Sequence, residues 1–450
     1  MIHNGGQDST KATLDSRKPL KVGLFLEDTS TDKFLEKRNF DKFMTQLSME
    51  ALDLFVFPEY CKTPITKMMS NFDIQSPSDY EEFLSLCRPL SIQIGCPIIY
   101  SGDDYRNTIF SVYVNPFAKG NETKDCIYIK HTATGTSAFD RGYANKLSTA
   151  FPVIGLNGYR LGMTICYDCT HALFSRAYGK QKVDILINST GGNVQRTKWH
   201  RYIKARALEN QCFSLCTMGS SDNTKSKSFA FAFSPGGSPI NWTKCIGQTN
   251  ESDMPDHVYV YDLDPNCIDS EVDISIAQDV SVSKNVDWKL DPLQLDNILS
   301  LSSKIDEGIH VLPVKDQNVV FIIMQDDDVT RPELLCKKLY SQKLKSYKNK
   351  RYMLINRWTG THQLDGRYFK ERLSDILKTR AAENFIAVLL VSPLITKCYQ
   401  PGSTKNVQDV CISSDGFGID FKRMGGPEVI WKRNPRWRAG YELLIDYLQE

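Results

Sequence analysis

The sequence predicts a layered α/β domain followed by a smaller α/β domain. Short apolar runs of strand length alternate with helical stretches over roughly the first 260 residues, the pattern of sheets covered by helices. A polar, Asp/Ser-rich and weakly periodic stretch follows, and a second β-α-β-α-β series begins near Val311. At 450 residues the chain is also too long for one ordinary domain.

The elements follow in order. Residues 1–18 are polar and are expected to be a flexible N-terminus. Residues 20–26 (LKVGLFL) read as a buried strand, 34–51 as a helix, and 52–57 (LDLFVF) as a second strand ending at Pro58-Glu59. Residues 83–94 read as a helix and 97–100 as a strand, and 107–114 and 126–130 alternate like strands of a half-exposed sheet. Residues 159–166 (YRLGMTIC) form a strand running into a sharp turn, 171–178 a helix, 183–188 (VDILIN) a buried strand, 199–210 a helix and 212–218 a strand. Residues 229–233, the Pro235-Gly236-Gly237 turn and 257–263 close the first domain, set at 19–268. Residues 269–310 read as a linker or extension, and 311–450 as a C-terminal α/β domain of unknown role. In that domain 319–324, 351–356 and 384–391 are strands, and 332–341, 368–379 and 437–448 are helices; the order suits a small parallel sheet. No internal repeat is apparent.

Composition narrows the function classes. A hydrophobic fraction of 41% and a charged fraction of 24% suit a globular protein with a sizeable core. A net charge of +2 points to neither nucleic acid nor membrane. No run approaches the roughly 18 apolar residues that a membrane span needs. The N-terminus lacks the apolar segment of a secretory signal, so the 13 cysteines read as reduced thiols of a cytoplasmic protein. Cys166 and Cys169 make one C-Y-D-C spacing, but only His171 lies near as a further ligand, so no metal site is assigned. No organic cofactor is expected either.

Three segments each put a reactive residue at a strand end: Glu59 after FVFP, Lys130 after CIYI and Cys166 after GMTI. Strand ends at one edge of an α/β sheet are where functional side chains gather. A thiol, a carboxylate and an amine suffice for acyl transfer from a C–N bond. The carboxylate takes the thiol proton, the ammonium stabilises the oxyanion, and the same carboxylate later activates water. Taken singly each residue is weak: a buried Cys is usually filler, and a strand-end Lys is usually solvated.

Their joint context is more specific. FPEYC (57–61), IYIKHT (127–132), GMTICYD (162–168) and WHRYIKARALENQCF (199–213) resemble, in order, successive signatures of the nitrilase superfamily of carbon–nitrogen hydrolases over about residues 18–268. FAFSPGGSPI (231–240) is similar to the family's late strand–turn–strand. The resemblance implies an α-β-β-α sandwich, a homo-oligomer, and a Glu59–Lys130–Cys166 triad acting on a small amide-like substrate. Tyr167 would lend its backbone N–H to the oxyanion hole. Asn188 and Ser189 would sit at the pocket rim, with Gly191-Gly192 allowing close backbone approach. Arg196 and Trp199 are substrate-binding or packing residues. Asp168 is expected to fix the turn through backbone N–H groups.

Two departures stand out. The second Glu that many family members carry after the Lys is absent from HTATGTSAFDRG, where Asp140 is the nearest carboxylate and the candidate substitute. After CYD the chain reads CTHALFSR, which puts Thr170 and His171 in the pocket wall, with His171 either a substrate contact or a helix N-terminal residue. In the C-terminal domain, Gln325-Asp326-Asp327-Asp328 is a metal candidate weighed against a solvated turn. WKRNPRWRAGY (431–441) is a single-strand nucleic-acid candidate weighed against a solvated face, since residues 301–450 hold only 24 Lys+Arg against 18 Asp+Glu. The leading reading is a hydrolase of a non-peptide C–N bond. The alternative is a nitrilase-fold sensing or scaffolding module with little turnover, possibly associated with nucleic acid.

Overall fold

Alternation along the first strands builds two apolar faces. In β1 (Leu20–Leu26) and β2 (Leu54–Val56), Leu20, Val22, Leu24, Leu54 and Val56 join one buried cluster, while Phe25, Phe55 and the following Phe57 join another. The computed structural model describes residues 16–26, 37–59, 79–103, 108–132, 150–191, 196–219, 229–247, 257–266, 292–314, 317–359, 367–391 and 396–399, with isolated positions between and after them.

The first sheet adds β3 (Ile98–Asp103), β4 (Ile109–Val114), β5 (Asp125–Ile129), β12 (Lys244–Gly247) and β13 (His257–Leu263) in the order β12-β13-β1-β2-β3-β4-β5. Its Phe-rich face is covered by α1 (Lys37–Ser48) and α2 (Asp79–Ile94) through Phe43, Met44, Leu47, Phe83 and Leu90. The second sheet contains β6 (Ile154–Leu156), β7 (Tyr159–Ile165), β8 (Ile185–Thr190), β9 (Phe213–Met218), β10 (Phe229–Phe233) and β11 (Pro239–Ile240), with β7, β8 and β9 parallel. The two sheets share one core, in which Val22, Leu24 and Tyr113 meet Leu161, Met163 and Leu215. Between those positions Gly162 faces Tyr178 of α3 (Ala172–Lys180), which covers the far side together with α4 (Arg196–Asn210). The order of layers is therefore helix, sheet, sheet, helix, as the resemblance implied.

The second unit is a single sheet. It contains β14 (Ser303–Asp306), β15 (Ile309–Val314), β16 (Gln317–Gln325), β17 (Lys350–Arg357), β18 (Ala387–Val391) and β19 (Thr396–Tyr399) in sequence order, and only β16, β17 and β18 are parallel. Helix α5 (Pro292–Ser300) packs on one face, with Leu295 against Val319, Phe321 and Met353. On the other face α6 (Pro332–Leu339) and α7 (Arg367–Asn384) cover Val320, Ile322, Leu354 and Val388. The unit thus begins at Pro292 rather than near Val311, and part of the expected linker is its first helix and strand. A nine-residue helix gives too little periodicity to be read from sequence. Of the expected 437–448 helix only Leu444 and Leu448 are described; Leu444 is buried in the core of the first unit. The WKRNPRWRAGY segment lies outside the described residues.

Candidate active site

Each reactive residue sits just past a strand whose alternation aims it. Glu59 follows β2, Lys130 follows β5 and Cys166 follows β7; they are 2%, 7% and 8% exposed. The first sheet supplies the acid and the amine, and the second supplies the thiol. Glu59 Oε1 accepts a hydrogen bond from Lys130 Nζ at 2.7 Å, and Glu59 Oε2 accepts from the backbone N–H of Gly191 at 3.1 Å. The Cys166 thiol lies 3.7 Å from the Gly191 carbonyl, and Glu59 is near enough for its charge to act on the thiol. A Cβ on residue 191 would stand 2.5 Å from the Glu59 carbonyl oxygen, so only glycine allows this approach.

Cys166 has φ 45°, in the left-handed region that side chains other than glycine enter at a cost of about 1–2 kcal/mol. It opens a 3₁₀ turn, Cys166–Thr170, that leads into α3. Burial, and then the negative charge of Glu59, push the thiol pKa well up, and the nearby Lys130 cation offsets only part of this. Burial by itself would depress the Lys130 pKa, but Glu59, Cys166 and Asp168 together raise it, so the ammonium form is kept. The resting pair is therefore a protonated thiol beside a fixed cation.

Asp168 ties the two strand ends together. Its Oδ2 accepts from the Tyr128 hydroxyl at 2.7 Å and from the N–H groups of His131 and Ile165 at 3.4 Å, and its Oδ1 accepts from Thr132 N–H at 2.9 Å. The clamp reaches beyond the turn to the residues immediately after Lys130. Asn188 does not lie at a rim. It is 1% exposed, its amide donates to Thr164 Oγ1 at 3.0 Å and to the Cys166 carbonyl at 3.3 Å, and its Oδ1 accepts from Thr190 Oγ1. Strand alternation turned it under the Cys166 turn, where it holds the Cys166 carbonyl. Ser189 is buried as well. His171 is the residue before α3, 4% exposed, with its ring against Tyr167 and Phe174. Burial, with Arg206 and His131 nearby, lowers its pKa to about 3, so the ring is neutral. Tyr167 is half-buried between His171 and Trp199, and Trp199 donates from its indole to Thr190 Oγ1 at 3.0 Å. Asp140 and Gly192 fall outside the described residues.

Two parts of the site escaped the sequence reading. Tyr128 was taken only as a strand residue, yet its hydroxyl completes the Asp168 clamp. Arg206, 0% exposed in the middle of α4, donates from Nε to the Cys169 carbonyl at 3.0 Å and so supports the nucleophile turn from below. The signal for a buried role was its spacing, on the same helix face as Trp199 and Ile203, both buried. Among the described residues no cluster of three or more His, Cys, Asp or Glu side chains is placed to hold a metal. A cavity of about 890 Å³ opens at the seam between the two units, but none of Glu59, Lys130 and Cys166 lines it.

Comparison with known proteins bears on the first unit. The family described as carbon-nitrogen hydrolase matches from residue 37 to residue 231, a span that includes all three reactive residues. Residues 37–231 belong to the carbon–nitrogen hydrolase family. No family matches the C-terminal part, and no curated protein matches the chain. Among solved structures, a variant of the amidase from Nesterenkonia sp. AN1 with the acetamide moiety of fluoroacetamide added covalently at its active-site cysteine is 15% identical. That likeness covers 56% of this chain and 93% of the amidase, with a TM-score of 0.39. Another variant of the same amidase, in complex with butyramide, is 15% identical over 56% of this chain and 94% of its own, with a TM-score of 0.39. A CN-hydrolase superfamily protein from Xanthomonas campestris with an arsenic adduct in its active site is 14% identical over 54% and 90%, with a TM-score of 0.39.

Proposed function

We propose that the chain hydrolyses a non-peptide carbon–nitrogen bond, of amide, nitrile or carbamoyl type, through a thioester on Cys166. The observation that carries this reading is the convergence of Glu59, Lys130 and Cys166: Lys130 is paired with the buried Glu59 carboxylate, and Glu59 and the Cys166 thiol both lie against Gly191. A thiol whose pKa is raised does not ionise at rest, so its proton must leave as the sulfur attacks. Glu59 accepts that proton while the Cys166 sulfur bonds to the substrate carbon. Lys130, held charged, stands beside the oxygen that gains negative charge, and the Tyr167 N–H is the second donor. Glu59 returns the proton to the leaving nitrogen as the C–N bond breaks. It then takes a proton from water, whose oxygen displaces the sulfur and releases the acid. For a nitrile the sulfur adds to the carbon and the thiol proton passes to the nitrogen, giving a thioimidate; one water then displaces ammonia to leave the thioester, and a second releases the acid.

The test is mass spectrometry of the intact chain after exposure to a panel of amides, nitriles and N-carbamoyl compounds, with released ammonia or amine measured in parallel. We expect product release from at least one class. In rapidly quenched reactions the matching acyl mass should appear on the Cys166 peptide, and Glu59→Gln should suppress both that adduct and product release. Retention of a ligand with neither adduct nor release would replace this reading with a sensing module.

A further inference from the structure

The half of the first unit that carries Cys166 occurs twice in the chain. In the first unit β6 runs antiparallel to β7, the strands β7, β8 and β9 are parallel, and β10 returns antiparallel. In the second unit β15, then β16, β17 and β18, then β19 repeat that arrangement, with helices after the equivalent strands. The ladder register aligns them residue by residue: Ile165 pairs with Ser189, and Gln325 pairs with Arg357. Asp326 then stands in the place of Cys166. It too is left-handed, with φ 40°, and it too opens a five-residue 3₁₀ turn, Asp326–Thr330. Asn356 donates to the Asp326 carbonyl at 3.4 Å as Asn188 does to that of Cys166. The runs LIN (186–188 and 354–356) and RALEN/RAAEN (206–210 and 380–384) fall at equivalent positions, and the residue after each of these asparagines, Gln211 or Phe385, is left-handed. These few identities, spread over unequal connections, are too sparse to show as a repeat in the sequence.

The two copies meet through α4 and α7 in a twofold pattern. Arg206 Nε donates to the Cys169 carbonyl and Arg380 Nε to the Val329 carbonyl, both at 3.0 Å, so each arginine holds its own turn. Each then binds the glutamate three residues on and also the other copy's glutamate. Arg206 hydrogen-bonds to Glu209 and Glu383, while Arg380 hydrogen-bonds to Glu383 and forms an ion pair with Glu209 at 2.8 Å. All four side chains are at most 5% exposed. Leu208 packs into the core of the second copy, and Ala382, its equivalent, packs into the core of the first.

The second copy lacks the other half of a site. Where the first unit has the sheet that brings Glu59 and Lys130, the second has α5, with Leu295 against Phe321 and Met353. The Asp326 carboxylate accepts from the N–H and hydroxyl of Thr359 instead. We propose that residues 303–399 are a diverged copy of the Cys166 half-domain, retained as a tethered partner, and that Glu383 is a positioning residue that fixes Arg206 and thereby the Cys166 turn. This rests on the reading of Cys166 as the nucleophile. Without Glu383 the cluster of two arginines and two glutamates becomes net cationic, and one terminal nitrogen of the buried Arg206 loses its acceptor. The guanidinium must then shift, and it carries the Cys169 carbonyl, three residues from the thiol, with it.

The test is the rate of iodoacetamide alkylation of Cys166 in the full chain across pH, followed by peptide mass mapping; a sulfur–carbon bond forms as iodide leaves, and no hydrolysis is required. Glu383→Gln is expected to slow alkylation of Cys166 by about ten- to a hundredfold, the scale of a small displacement at a reacting group. Glu383→Asp, which keeps the charge one methylene short, should fall between, and it carries the comparison if Glu383→Gln does not fold. Arg380→Gln loosens the same cluster but leaves Arg206 both of its glutamates. It should lower the melting temperature comparably while leaving Cys166 alkylation close to that of the unaltered chain. A reactive Cys166 indifferent to Glu383, or equally slowed by Arg380→Gln, would overturn the positioning role alone. A Cys166 inert in the unaltered chain would overturn the nucleophile reading and the positioning role with it.

Discussion

Glu59 has two tasks that substitution can separate. It is the proposed base, and it is also the ion-pair partner of a buried ammonium. Glu59→Gln should lower kcat by about 10²–10⁴-fold, the usual range for a general base. It should also destabilise the fold by about 3–5 kcal/mol, because Lys130 is left charged and unpaired in the interior. Urea melts beside the kinetics separate the two effects. Lys130→Met removes the other partner, and its kinetic loss should be nearer 10²–10³-fold, that of a single oxyanion donor. Gly191→Ala is a sharper probe, since it alters no reactive group. The new methyl meets the Glu59 backbone 2.5 Å away and the Glu59 Cβ at 3.2 Å, and either β8 or Glu59 must yield. The expected cost in stability is about 1–3 kcal/mol, with a fall in kcat and little change in KM. At this scale the sequence marked Glu59, Lys130 and Cys166 as residues just past strands, because strand ends and residue types are local. Asn188 was harder to place, because period-2 alternation assigns a face while only the packed neighbours show whether that face opens to a pocket or lies beneath the nucleophile.

Among the elements, the clamp at Asp168 decides whether β5 and the Cys166 turn keep their register. Asp168→Asn replaces one accepting oxygen with an N–H₂ that faces the donors of Tyr128, Ile165, His131 and Thr132. We expect a loss of about 1–3 kcal/mol or more and a large fall in kcat, while Tyr128→Phe, which removes only one donor, should cost about 1 kcal/mol. Next to the clamp, His131 is pushed down to about 4 by burial, which outweighs the pull of Asp168, and His171 is pushed down to about 3. In the unfolded chain both titrate near the ordinary value of about 6.5. Below that value the unfolded chain binds protons that the folded chain refuses, so the stability these residues lend is complete at neutral pH. It is lost as pH falls from about 6.5 toward 4, at up to about 1.4 kcal/mol per pH unit for each histidine. Urea midpoints measured at pH 7, 6 and 5 should fall, and His171→Gln should flatten that decline. Helices and strands were legible where apolar periodicity was strong, as in α1, or where an apolar run was continuous, as in β7. Helix α5 was not, because its nine residues give little over two turns of pattern; among its described side chains Leu295 and Leu299 pack on the sheet.

At the scale of the whole chain, the seam between the units is an interior. Two arginines and two glutamates are buried there together, Arg176 of α3 pairs with Glu333 of α6, and side chains from each unit enter the core of the other. Removing one member of such a cluster costs far more than a surface ion pair, because the remaining charges cannot return to water. From sequence, 301–450 offered only a modest positive charge and no reactive motif, so its role was not legible. Arg206, the partner of Glu383 across the seam, lies 177 residues away, and no local pattern announces it. The consequence is mechanical: the connection through 267–291 should not be what holds the units together. Insertion of a specific protease site near residue 280, followed by cleavage, should leave both fragments co-eluting at the size of the intact chain. Cys166 alkylation should be unchanged, and calorimetry should show one unfolding transition. The same nicked chain carrying Glu383→Gln should separate or melt in two steps, because the buried cluster then repels the seam it otherwise closes. Dissociation of the unaltered nicked chain, with alkylation retained on the first fragment, would mean that the helical face needs no cover and that the second unit is joined by the chain alone.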